Sequence, residues 1–93
     1  MPGQPQVRAA WWLHLDDSGI PAATVRIEQR MDGSGRWIVL HNVPAENPTR
    51  RSEHGSEHEA HAEAQRLRDW IDGLTRWQHG ITGTWRINAR EPY

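Results

Sequence analysis

Three histidines, at positions 54, 58 and 61, lie within eight residues and alternate with glutamates in "RRSEHGSEHEAHAEAQRLRDW". Imidazole nitrogens and carboxylate oxygens together can bind zinc or nickel. On a helix His58 and His61 share the polar side and can approach one ion, and Glu57 or His54 would add a third ligand. His54 precedes the helix start signal, and no HExxH motif is present. The sequence therefore offers His58 and His61 as a candidate metal pair, against the simpler interpretation of a solvated helix face.

The segment that carries these histidines has the start and stop signals of a helix. Ser56 and Glu59 form an S-x-x-E capping box, and Gly73 is suitably placed for a left-handed C-cap. We therefore predict a helix over residues 57–72. At 100° per residue, its apolar side chains fall within an arc of about 120°, which predicts packing on a sheet. The predicted core stripe consists of Ala60, Ala64, Leu67, Trp70, Ile71 and Leu74.

Three segments before the helix alternate apolar and polar residues, as half-exposed strands do. They span residues 9–15, 23–30 and 36–43, and the glycine-bearing turn "MDGSG" joins the last two as a hairpin. The side chains predicted to point outward from the second strand are Thr24, Arg26, Glu28 and Arg30. Residues 44–55 are interpreted as a loop, with a short edge strand at "TRRSE" as the alternative. For residues 75–88 we predict either a last strand or an extended tail.

Together these elements predict an α+β fold, in which a small antiparallel sheet of three to four strands is packed on one face by a single helix. Residues 1–8 are expected to form a disordered lead-in, because they are rich in proline and glutamine. Residues 9–88 are expected to form one domain, and residues 89–93 a polar C-terminal tail.

Several functional classes are disfavoured by composition. The 93-residue chain has no cysteine, which excludes disulfides, thiolate metal sites and cysteine nucleophiles. Its longest apolar runs are "AAWWL" and "WIVL", so no membrane span is predicted, and the absence of a signal-peptide pattern favours the cytoplasm. The adjacent carboxylates Asp16 and Asp17 fall in a turn, and the serines fall in turns or caps. We therefore expect no enzyme activity, no cofactor and no small-molecule substrate.

Tryptophan and arginine are the unusual residues of this chain. All eleven basic residues are arginines, and the aromatic residues are six tryptophans and one tyrosine. An arginine-only, alanine-rich composition is typical of GC-rich bacterial genomes and their phages. Tryptophan and arginine are also the residues most enriched in binding hot spots. Adjacent Trp11 and Trp12 must face opposite sides of their strand. The candidate partner-binding residues are Trp12, Trp77 and Trp85.

Charge is unevenly distributed along the chain, although the formal net charge is only −1. Residues 24–52 carry five arginines and three acids, whereas residues 53–72 carry two arginines and six acids. This arrangement, in "TVRIEQRMDGSGRWIVLHNV" followed by "SEHEAHAEAQRLRDW", resembles the three-strand-plus-helix domains of AP2-type DNA-binding proteins and the arm-binding domains of phage integrases. The resemblance implies that the sheet enters the major groove of DNA while the helix supports it from behind. The nucleic-acid contacts it implies are Arg26, Arg30, Arg36, Trp37, Arg50 and Arg51.

Two functions follow as expectations. The first is a small non-enzymatic binding module that works through protein contacts, as a homodimer, an adaptor or an inhibitor of the phage or mobile-element type. The second is a DNA-binding domain that uses the arginine-bearing sheet. Metal binding by His58 and His61 is a third, more remote alternative.

Overall fold

The computed structural model describes residues 4–16, 20–43 and 47–87. Five strands and one helix follow one another along the chain. They are β1 (Gln6–His14), β2 (Ala23–Gln29), β3 (Trp37–Val43), β4 (Asn47–His54), α1 (Glu57–His79) and β5 (Thr84–Ile87). All four strand pairings are antiparallel, in the order β4-β3-β2-β1-β5. The predicted α+β class, with one helix packed on an antiparallel sheet, is confirmed.

Side chains of the sheet divide between a covered face and an open face, because successive residues of a strand point to opposite sides. On the covered face, residues of β1, β2 and β3 pack against four residues of α1 to form the core. The sheet contributes Trp11, Leu13, Ala23, Val25, Ile27, Trp37 and Val39, and the helix contributes Ala60, Ala64, Leu67 and Ile71. The predicted alternation in the first two strands is therefore confirmed, with Trp11 buried and Trp12 exposed on the opposite face.

The N-terminus of α1 is capped as the sequence predicts. The Ser56 hydroxyl accepts a hydrogen bond from the Glu59 amide at 3.2 Å. The Glu59 carboxylate in turn accepts one from the amide of Gly55 at 3.0 Å, one residue before the position that a standard capping box would use. The first bond satisfies a backbone donor that the helix leaves free at its start, and the second holds the residue before the cap against the first turn.

The C-terminus of α1 differs from the prediction. The helix continues to His79 and is capped by Gly80, which has the left-handed φ of 71° and donates its amide to the Arg76 carbonyl. The helix passes through Gly73 because the buried stripe continues beyond it, with Ile71 and Thr75 both facing the core. Packing of this stripe outweighs the modest helix-breaking tendency of one glycine.

The interpretation of residues 44–55 as a loop is wrong for the part that the structure describes. Residues 47–54 form β4, which pairs with β3 and makes the sheet one strand larger than the predicted maximum of four. Alternation of apolar and polar residues does not reveal this strand, because it is polar on both faces. An edge strand needs no continuous apolar face. Pro48 is compatible with this position, since the edge of a sheet tolerates a missing backbone N–H.

For residues 75–88 the sequence predicts either a last strand or an extended tail. Residues 84–87 of this segment form a strand, β5. It pairs with β1 over residues Trp11 to His14. The chain enters β5 through Gly83, where an added Cβ would lie 2.7 Å from Leu13 Cδ1 and 2.8 Å from the His14 carbonyl oxygen. Only a residue without a side chain allows this approach of β5 to β1.

The chain boundaries also differ in part from expectation. β1 begins at Gln6, so the strand includes residues 6–8 of the predicted lead-in. Residues 1–3, the centre of the first predicted turn at 17–19, and the predicted tail at 89–93 lie outside the described residues. No helix among the residues that the structure describes is long and apolar enough to cross a membrane.

Trp70 and Leu74 are the two members of the predicted core stripe that the core cluster does not include. The side chain of Trp70 is 49% exposed, whereas Thr75 is buried. Trp70 lies at the margin of the apolar arc of the helix, where the sheet no longer covers a large ring. Leu74 is half-buried.

Truncation of a core residue tests this packing. Ile71 is 1% exposed between the helix and the sheet, so Ile71→Ala should lower the free energy of unfolding by about 2–5 kcal/mol. Ile20 is 73% exposed, and Ile20→Ala should change it by less than about 0.5 kcal/mol. Urea denaturation measures both variants. Equal losses in the two would contradict the position of the core.

Candidate functional site

The open face of the sheet is the first candidate surface. It is opposite α1, and no element of the described residues covers it. Its members follow from the register of the paired strands, because directly opposed residues share a face. They are Val7, Ala10, Trp12, His14, Thr24, Arg26, Glu28, Ile38, Leu40, Asn42, Arg51, Glu53, Thr84 and Arg86, and the β2–β3 turn adds Arg30, Asp32 and Arg36.

The centre of the open face is apolar. Ala10 and Ile38 are only 4% and 5% exposed there, because the long side chains around them shield them from solvent. Trp12 is 39% exposed and stands beside a shallow depression of about 100 Å³. The residues that line the depression are Trp12, Thr24, Arg26, Leu40, His41 and Thr49. An exposed indole next to a depression is suited to contact with another molecule.

One carboxylate gathers three arginines at one side of the open face. Glu53 lies 3.1 Å from Arg30 Nη1, 3.4 Å from Arg36 Nε and 2.7 Å from Arg51 Nη2. Partial desolvation acts to raise the pKa of Glu53, but the hydrogen bond from Arg36 and the charges of Arg30 and Arg51 hold it below its ordinary value. Glu53 therefore remains ionised at neutral pH and holds the three guanidinium groups together.

Two further ion pairs lie on this face and its turn. Arg26 Nε lies 2.9 Å from Glu28, and Arg30 Nη2 lies 2.8 Å from Asp32. The Ser34 hydroxyl and backbone amide, followed by the charge of Arg30, lower the pKa of Asp32 to about 2. With Arg86 included, the face and its turn carry five arginines and three acids, a balance of +2. The face is mildly basic and is not a strong polycation.

Two of the residues that the DNA-binding resemblance implies as contacts lie on the covered side of the sheet. Trp37 is 9% exposed and belongs to the core under α1. Arg50 is paired with His41, which lies on the same side as Val25. The alternation within β3 and β4 thus separates Trp37 and Arg50 from Arg26, Arg30, Arg36 and Arg51, which share the open side.

The three candidate partner-binding tryptophans do not form one surface. Trp12 lies on the open face, and Trp85 lies on the covered side, where its Nε1 donates a hydrogen bond to Asp72 at 2.9 Å. Trp77 is on the helix and is 83% exposed. Trp85 therefore links β5 to the helix, while Trp12 and Trp77 present indoles to solvent on different sides of the molecule.

A second candidate surface lies on the outer side of α1. Trp70 and Trp77 are seven residues apart, so they lie about 20° apart around the helix axis and about 10 Å apart along it. The ring of Trp70 meets His41 edge-on, with 6.1 Å between centroids. We call Trp70, Gly73 and Trp77 the helix stripe. The seven-residue spacing of the two tryptophans is visible in the sequence and predicts that they share one side of the helix. Assignment of Trp70 to the core hid this surface.

His58 and His61 occupy exposed positions on α1. His61 Nε2 lies 3.7 Å from the Glu57 carboxylate, and its ring meets Trp11 edge-on. His54 is engaged elsewhere, with its Nε2 2.8 Å from the Ser52 hydroxyl. Among residues 4–16, 20–43 and 47–87, no group of three or more His, Cys, Asp or Glu side chains is arranged to hold a metal ion.

The chain was compared with protein-family models, with curated proteins and with solved structures, and none of them matched. The two surfaces must therefore be interpreted from their own geometry.

His41 provides a test of the environment beside the helix stripe. Burial, and then the charge of Arg50, lower the pKa of His41 below 6.5, with smaller opposed contributions from Glu63 and Arg66. Because the unfolded chain binds this proton more readily, the stability that His41 contributes is present above pH 6.5. It is lost as the pH falls from that value through the lower folded-state pKa. Urea denaturation between about pH 7 and pH 5 should show a smaller loss of stability in His41→Gln than in the unmodified protein. Identical profiles would show that His41 is not shielded.

Proposed function

We propose that this protein is a non-enzymatic binding module and that the open face of its sheet binds a partner protein. The observation that carries the proposal is the position of Trp12. This indole is 39% exposed beside a shallow depression, within a face that arginines surround. Interface hot spots have this composition, with an aromatic residue at the centre and charged residues toward the rim.

The chemistry of the face indicates what kind of partner fits. An apolar side chain can enter the depression between Trp12 and Leu40, where it would be removed from water. Acidic groups around that side chain would meet Arg26, Arg51 and Arg86, which are all exposed. The side chains of Arg26 and Arg51 are about half exposed in their ion pairs, and such surface pairs contribute little stability, so they can be exchanged for carboxylates of the partner.

A partner protein is first isolated with the tagged protein from cells that express it, and is then purified. Its affinity for the unmodified protein is measured by calorimetry. Trp12→Ala should weaken binding by about 30-fold or more, as expected for loss of a central aromatic contact. Trp77→Ala is the matched control, because it removes an exposed indole from another side of the molecule, and affinities are compared per binding site so that a change in assembly does not count as a lost contact. The proposal fails if Trp12→Ala binds as the unmodified protein does, or if only Trp77→Ala loses affinity.

DNA binding by the same face is the second candidate. The observation that favours it is that Arg26, Arg30, Arg36 and Arg51 share one side of the adjacent strands β2, β3 and β4 and their connections. β2, β3 and β4 are also consecutive antiparallel strands followed by α1, which supports this candidate. Glu28 and Glu53 oppose this function, since each would have to lie near DNA phosphates while it neutralises arginines.

Duplex titration at low salt tests this candidate. The double variant Arg26→Ala/Arg51→Ala should lose affinity and show a shallower salt dependence, because two cations leave the proposed contact face. Arg50→Ala/Arg66→Ala removes the same charge from other parts of the surface and should retain affinity. Glu53→Gln should strengthen binding, because it removes the carboxylate shared by three arginines. Failure of the unmodified protein to bind any duplex at low salt rejects the candidate.

A further inference from the structure

The helix stripe exposes apolar surface to solvent, beyond the contact that Trp70 makes with His41. Trp77 is 83% exposed and Trp70 is 49% exposed, while α1 covers the sheet with other residues. Exposure of two large indoles on one side of a helix is unfavourable in water. A seven-residue spacing is also the repeat by which one helix packs along another. The stripe therefore has the pattern of a helix–helix contact whose second helix is not supplied by the described part of the chain.

Gly73, between the two tryptophans, is a second and independent observation. It lies inside α1 and is exposed, and a Cβ added to it would meet no atom within 4 Å. Its φ is not positive, so the backbone does not require glycine here. Glycine inside a helix costs about 1 kcal/mol relative to alanine. The monomer gains no contact from this cost, whereas a helix from outside could approach the backbone closely at Gly73.

The charged residues beside the helix stripe indicate that the second helix is α1 of another copy of this chain. Asp69 and Arg76 are seven residues apart, as are Trp70 and Trp77, and both pairs are centred on Gly73 to within half a residue. If a second α1 crosses in the antiparallel direction at Gly73, each Trp70 stands opposite the Trp77 of the other copy. Each Asp69 stands opposite the Arg76 of the other copy. A surface that complements itself about a two-fold axis in this way fits a second copy of the same chain.

We propose that two copies of this protein form a symmetric dimer through antiparallel packing of their α1 helices, with the two-fold axis at Gly73. The ionic contacts are available for it. Asp69 accepts a hydrogen bond from the neutral amide of Gln65 at 3.0 Å and lies near the charge of Arg68, but among the described residues neither Asp69 nor Arg76 forms a direct ion pair. In the dimer the carboxylate of Asp69 and the guanidinium of Arg76 meet at the edge of the apolar contact.

The size of the contact indicates how strong the dimer is. The exposed parts of four tryptophans supply on the order of 600 Å². A stable interface usually buries about 1,200–2,000 Å², so neighbouring helix residues must contribute and the dimer is expected to be concentration-dependent. This dimer leaves both open faces directed away from the contact. It is therefore independent of the function proposed for those faces, and it would present two of them in one assembly.

Sedimentation equilibrium over a wide concentration range tests the proposal, together with thermal unfolding of dilute samples. The unmodified protein should show a monomer–dimer equilibrium, and Trp77→Ala should be monomeric. Gly73→Ala should weaken the dimer by at least tenfold while it raises the melting temperature of the dilute monomer, because alanine favours the helix. The proposal is overturned if Gly73→Ala dimerises as strongly as the unmodified protein. It is also overturned if the unmodified protein stays monomeric at all concentrations.

Charge reversal tests the two-fold arrangement itself. Asp69→Arg and Arg76→Asp should each weaken the dimer several-fold, since each places like charges opposite one another. The double variant Asp69→Arg/Arg76→Asp should recover most of the lost affinity. Arg86→Asp, on the open face, is the control and should have no effect on dimerisation. Dimerisation that is lost in Trp12→Ala but kept in Trp77→Ala would show that copies meet through the open face, and would overturn the helix contact.

Discussion

A single helix can cover only one face of a sheet, and this constraint governs the whole molecule. α1 supplies Ala60, Ala64, Leu67 and Ile71 to the covered face, where they form the core with the inward residues of β1, β2 and β3. The chain has no second helix for the opposite face among its described residues. Strand residues that point away from α1 must therefore be shielded by neighbouring side chains, as Ala10 and Ile38 are, or else tolerate water or meet another molecule.

The tryptophans show how this constraint gives one residue type different roles. Trp11 is buried under the helix, where the guanidinium of Arg68 lies 4.3 Å from its ring centroid and His61 meets its edge. Trp12, the next residue, has no such cover because its strand position points the other way. Trp85 lies between these extremes, anchored to Asp72 by its indole N–H. For the strand tryptophans Trp11 and Trp12, burial depends on which face of the sheet the side chain occupies.

The proposed helix contact and the proposed partner surface use different consequences of the same architecture. The open face exists because the helix lies on the other side of the sheet. The helix stripe exists because α1 is a cylinder, of which the sheet can bury only one arc. A dimer through the stripe would place two open faces in one particle, and a partner with repeated sites would then bind with greater avidity.

Residue patterns by themselves determined much of this structure. The strand alternation assigned Trp11 and Trp12 to opposite faces, the "MDGSG" turn identified the central hairpin, and Ser56 fixed the start of the helix, because these features depend on neighbouring residues. Tertiary contacts decided the rest. β4 forms because the backbone of β3 offers it hydrogen bonds, and α1 passes Gly73 because Ile71 and Thr75 remain in contact with the core. Which arginines share a face likewise depends on the register between strands, which pairing of residues far apart in the sequence sets.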